Sequence, residues 1–113
     1  MYYALTTKHD KLYNTDKPIE RTVSEFATKA DRDLYVRYVN EGTDIRASHR
    51  YGMTAEAIPA KRAHALVDAV EGRPIPSLNS VMAPYGIDNT ARWFEEWRPG
   101  YGKRAIVVER TWL

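Results

Sequence analysis

Residues 28–42, TKADRDLYVRYVNEG, read as a helix with both ends marked. Thr28 carries the side-chain oxygen an N-cap needs, and Asp31 stands three residues later, near the positive end of the helix dipole. Gly42 suits the left-handed position that follows a last turn. Leu34, Tyr35, Tyr38 and Val39 recur at i, i+1, i+4 and i+5, an apolar stripe that faces a core. Asp33 and Arg37 are spaced for an i, i+4 ion pair on another side.

Outward from this helix the periodicity shortens to two. On its N-terminal side, residues 2–7 (YYALTT) predict a first strand, 8–18 a polar connection closed by Pro18, and 20–27 (ERTVSEFA) a second strand. In the latter, Thr22, Ser24 and Phe26 alternate with Val23, Glu25 and Ala27. On the C-terminal side, residues 44–52 (DIRASHRYG) place Ile45, Ala47, His49 and Tyr51 on one face, and Arg46, Ser48 and Arg50 on the other. A second helix is predicted over 58–72, with Pro59 in its first turn, Ala63, Leu66, Val67 and Val70 at i, i+3, i+4, i+7, and Gly72 at its end. Residues 73–86 hold three of the six prolines and predict an irregular crossing. A short third helix is expected over 87–97, capped by Asp88, with Trp93, Phe94 and Trp97 on one side. Residues 98–102 (RPGYG) predict a turn, and 103–113 (KRAIVVERTWL) a strand in the sheet interior.

The order β-β-α-β-α-α-β predicts an α+β fold in one domain, residues 1–113. The expected architecture is a mixed sheet of about four strands with two to three helices packed on one face. The chain of 113 residues, 43% hydrophobic and 28% charged, has the composition of a globular protein. It contains no cysteine, which excludes disulfides, thiolate nucleophiles and Cys-ligated metal within this sequence. Residues 1–14 lack a basic start followed by an apolar run, and no apolar stretch reaches the ~18 residues of a membrane span. The expectation is a soluble cytoplasmic protein without membrane association.

Charge is distributed in blocks. Residues 45–64 hold Arg46, Arg50, Lys61 and Arg62 against Glu56, and residues 97–113 hold Arg98, Lys103, Arg104 and Arg110 against Glu109. Between them, residues 65–96 hold Arg73 and Arg92 against Asp68, Glu71, Asp88, Glu95 and Glu96. Either these blocks neutralise one another across the fold, or they form a dipolar surface that steers a charged partner. The second predicted helix makes the question local, because Lys61 and Arg62 stand in its first turn and Asp68 and Glu71 near its end, opposite to what the dipole favours. Three explanations compete: a nearby acidic group, a phosphate seated on the helix start, and a protein partner with an acidic patch.

Catalytic signatures are sparse. His9, His49 and His64 show no metal-ligand spacing, and no metal or cofactor is expected. His64 and Asp68, at i, i+4, are the one candidate base–orienter pair. Glu95 and Glu96 are adjacent and diverge on a helix, so they make a poor carboxylate pair. RPGYGKR (98–104) is no P-loop, since Trp97 stands where the first glycine belongs and Arg104 where a hydroxyl does. It matches an RNA-recognition strand only at Gly-Tyr-Gly, with Pro99 and Lys103 at mismatched positions.

No motif identifies a family. Eight Tyr, three Trp and eleven Arg supply the residue types enriched at interface hot spots. The expectation is a small non-enzymatic protein-binding module. Its general profile is that of short proteins of phages and mobile elements, including anti-CRISPR-like inhibitors of nucleic-acid-handling host machinery. The alternative is direct binding of nucleic-acid phosphates by the basic segments 45–64 and 97–110. The binding residues expected under either reading are Arg46, Arg50, Lys61, Arg62, Trp97, Arg98, Tyr101, Lys103 and Arg104. A protein partner is favoured over nucleic acid, and a homodimer is allowed for.

Overall fold

The computed structural model describes residues 1–12, 18–42, 51–75, 90–96 and 103–110. They form β1 (Tyr2–Asp10), β2 (Pro18–Phe26), α1 (Lys29–Asn40), β3 (Tyr51–Ile58), α2 (Ala60–Asp68), β4 (Phe94–Glu96) and β5 (Lys103–Arg110). The class is α+β. The sheet has five strands in the order β3-β1-β2-β5-β4, and every pairing is antiparallel. The expectation of a mixed, four-stranded sheet is therefore corrected on both counts.

The helices do not share a face. Along β1, Ala4 and Thr6 point to the side of α1, where Ala4, Phe26, Tyr35, Val39 and Ala55 pack together. Tyr3 and Leu5 point the opposite way and pack with Val23, Ile58, Ile106 and the α2 residues Ala63 and Val67. Alternation along a strand sends successive side chains to opposite faces, so a sheet with a helix on each side buries both sets. This accounts for the unbroken buried run Tyr3–Thr6 in β1, whereas in the similar run Ala105–Val108 of β5 the residues Ile106, Val107 and Val108 all pack in the α2-side cluster. In β5 a bulge helps: Arg21 pairs with Glu109 but Thr22 pairs with Val107, so Val108 is the extra residue.

The first helix starts and stops as its sequence predicts. Asp31 N–H donates to Thr28 Oγ1 at 3.1 Å, and Gly42 follows the end with φ +75°. Of the expected stripe, Tyr35 and Val39 are buried and Leu34 is exposed. The expected Asp33–Arg37 pair is replaced by Arg32–Asp33 at 2.7 Å and Arg37–Glu41 at 3.9 Å.

Two other expectations change. The described part of 87–97 is extended, not helical: Thr90 bridges to Pro74, and Phe94–Glu96 pair with β5 as β4. Only two helices are thus present among the described residues. The strand expected over 44–52 instead runs Tyr51–Ile58, with residues 44–50 outside the described set. Residues 53–58 (MTAEAI) carry weak alternation, and their strand state follows from pairing with β1. The turn expected at 98–102 and residues 76–86 of the proline-rich segment also lie outside the described residues.

Candidate functional site

On the α2 face, cross-strand pairing sets Tyr3 opposite Glu25 and Glu25 opposite Arg104, so three strands present these side chains in one row. Arg104 donates to Glu25 through Nε at 2.8 Å and Nη2 at 3.4 Å, a two-pronged clamp. The same guanidinium lies over the Trp93 ring, 4.2 Å from its centroid. Tyr3 donates its hydroxyl to Glu25 Oε2 at 3.1 Å and meets His64 Nε2 of α2 at 3.1 Å. A phenol has one proton, and here it goes to the carboxylate, so His64 approaches with a protonated Nε2. The Tyr3 and His64 rings meet edge-on at 5.4 Å.

The electrostatics follow from these contacts. Hydrogen bonding from Arg104 holds the Glu25 carboxyl below the usual carboxylate range, against the opposing effect of burial. Burial, followed by the negative charge of Glu25, raises the Tyr3 phenol above its ordinary value. The Glu25 hydrogen bond likewise raises Arg104. Near neutral pH the row therefore holds an anionic Glu25, a neutral Tyr3 and a cationic Arg104. The Arg104 side chain remains 48% exposed, and His64 is exposed on the helix beside it.

The other face holds a cation with a different environment. The Lys103 side chain is fully buried, with Nζ 3.1 Å from Glu96 Oε2, 3.3 Å from Ser24 Oγ and 3.8 Å from the Tyr35 ring centroid. Lys103 was expected at a binding surface. Its position in the strand register places it between sheet and helix, where it cannot meet a partner directly.

The remaining expected site residues divide. Arg62 pairs with Glu56 at 3.2 Å, and Lys61 is exposed in the same first turn of α2. Arg46, Arg50, Trp97, Arg98 and Tyr101 lie outside the described residues. The candidate pair His64–Asp68 is not formed, because the imidazole turns to Tyr3. Among the described residues no group of three or more His, Asp or Glu is arranged to hold a metal ion. A concavity of about 160 Å³ between Ile75, Ala91, Phe94, Val107 and Arg110 is smaller than the roughly 300–1,000 Å³ of small-molecule sites. No helix is long and apolar enough to cross a membrane among the described residues.

No family model, curated protein or solved structure matches this chain. The site therefore rests on its own geometry. Sequence reasoning picked Arg104 by charge and His64 by spacing, but missed Tyr3, Glu25 and Trp93 as their partners. Only strand register brings residues 3, 25 and 104 together. An alternating strand with a single acid on its apolar side, Val23-Ser24-Glu25, was the one local signal that Glu25 needs a partner.

Proposed function

We propose that this protein is a small non-enzymatic binding module that docks on another protein through the α2 face, centred on Arg104. The observation that carries the reading is the half-exposed Arg104 guanidinium, held by Glu25 and stacked on Trp93 before any partner arrives. Arginine loses considerable rotamer freedom when it is immobilised at an interface, and preordering removes much of that cost. Arg, Tyr and Trp are also the residue types that dominate interface hot spots. Exposed His64 and Lys61 extend the surface along α2 and favour a partner with acidic groups. An inhibitor of nucleic-acid-handling machinery is the specific form of partner binding proposed from the overall profile.

Direct phosphate binding is the weaker reading. Arg62, Arg104 and Arg110 are paired with Glu56, Glu25 and Glu20, and Lys103 is buried. A cation already neutralised by a carboxylate releases fewer counterions on meeting a phosphate backbone. The deciding experiment compares wild type, His64→Ala and Arg104→Ala in affinity capture, with Lys29→Ala on the opposite face as a control. Fluorescence anisotropy with labelled DNA and RNA at two salt concentrations runs alongside. A partner retained by wild type and Lys29→Ala but lost by both α2-face variants, with unchanged circular dichroism, is the expected result. Equal capture by all four would sink the proposed surface, and steeply salt-dependent nucleic-acid binding would replace it with the phosphate reading.

A further inference from the structure

Among the described residues β3 is an edge strand, bonded to β1 on one side only. In an antiparallel pair the N–H and C=O of a residue point together to one side, alternating along the strand. Ala55 points both groups away from β1, since each is taken by the side chain of Asn40. The Asn40 Nδ2 donates to Ala55 O at 2.9 Å, and Ala55 N–H donates to Asn40 Oδ1 at 2.8 Å. Two bonds of opposite sense to one residue reproduce what a neighbouring strand would make at that position. By the same alternation Met53 and Ala57 also turn their backbone groups outward, and Ala57 is exposed.

We infer that Asn40, at the last turn of α1, is the guard that keeps the β3 edge from pairing with β3 of a second copy of this chain. The edge is self-complementary. In an antiparallel pairing centred on Ala55, Ala55 faces its own counterpart, Met53 faces Ala57, and Thr54 faces Glu56. No like charges stand opposite one another, and small apolar side chains meet on the α1 face. Long unprotected edges of this kind invite association, and proteins cover them with neighbouring elements. Here one amide side chain occupies the central position, so a second strand cannot form its middle pair of bonds without displacing it.

Analytical ultracentrifugation of wild type, Asn40→Ala and the double variant Asn40→Ala/Ala57→Pro tests the inference. Asn40→Ala is expected to associate to twice the wild-type mass at high concentration. Proline at 57 removes an outward N–H, which an edge strand tolerates, and should return the mass to that of wild type. A folded Asn40→Ala that keeps the wild-type mass, or an association that survives Ala57→Pro, overturns it. Amide exchange in the wild-type protein gives a reading even if Asn40→Ala fails to fold. Ala55 N–H should exchange roughly tenfold or more slowly than Ala57 N–H, and equal rates would equally overturn the proposal.

Discussion

At the scale of single residues, the α2 face shows how one carboxylate organises its neighbours. Glu25 is reached by Arg104 and Tyr3 together, and each contact favours its ionised form. Because its pKa is lowered on folding, its contribution is complete above the ordinary carboxylate range and is lost as pH falls through the depressed value. Tyr3 behaves opposite in direction: with its pKa raised, its contribution is present below the usual phenol value of about 10 and is lost as pH rises through the raised value. Glu25→Gln keeps one oxygen for Arg104 Nε, removes the charge, and turns the second acceptor, which Tyr3 and Arg104 Nη2 reach, into an N–H donor. Thermal melts should show this variant less stable than wild type near neutral pH by under about 1 kcal/mol, since the pair is partly solvated. The difference should close only as pH falls below the ordinary carboxylate range, through the depressed value at which Glu25 protonates. A difference unchanged at low pH would assign the effect to shape instead of charge.

At the scale of elements, α2 resolves its own inverted charge pattern. Its N-cap, Pro59, makes no side-chain cap bond, and its first turn contains no acid. Arg62 leans back to Glu56 of β3, so the acidic neighbour that the helix lacks internally is supplied by the preceding strand. Arg73 donates to the Ala69 carbonyl at 3.1 Å and supplies a cation at the C-terminal end. Exposed Lys61 has no such compensation among the described residues. Lys61→Glu should therefore stabilise the fold by about 0.3–1 kcal/mol at low ionic strength, with the gain shrinking as salt is added. A denaturant titration at two salt concentrations checks it, and a loss of stability would mean that Lys61 meets an acidic group. The first helix needs no such help, because its cap, dipole and stop signals all agree with its sequence.

At the scale of the whole molecule, the two-sided burial of the sheet makes Lys103 a keystone. It joins β5 to β4 through Glu96, to β2 through Ser24 and to α1 through the Tyr35 ring. Removing one partner of a buried ion pair leaves an uncompensated charge and costs about 3–5 kcal/mol. Urea unfolding of Glu96→Ala, which leaves the buried Lys103 ammonium without its carboxylate, should show a loss of that order. A loss under about 1 kcal/mol would mean that water reaches the site and the pair is less isolated than its burial implies.

Local chemistry sufficed for part of this architecture. Thr28, Asp31 and Gly42 set the limits of α1, the alternation of 20–27 marked β2, and the apolar spacing of 63, 66, 67 and 70 marked α2. The apolar run Ala105–Val108 also carried the sign of a strand in the sheet interior, where β5 lies between β2 and β4. The strand state of 51–58 and 94–96 was not legible, because such short or weakly patterned segments take their conformation from the strands they pair with. Nor was the site, since residues 3, 25 and 104 have no local relation in the chain. Sequence alone determined the helix, the strand propensities and the class. Tertiary structure decided which face each helix covers, that Lys103 is inside and Arg104 outside, and that Asn40 closes an edge, because each depends on strand register and on contacts distant along the chain.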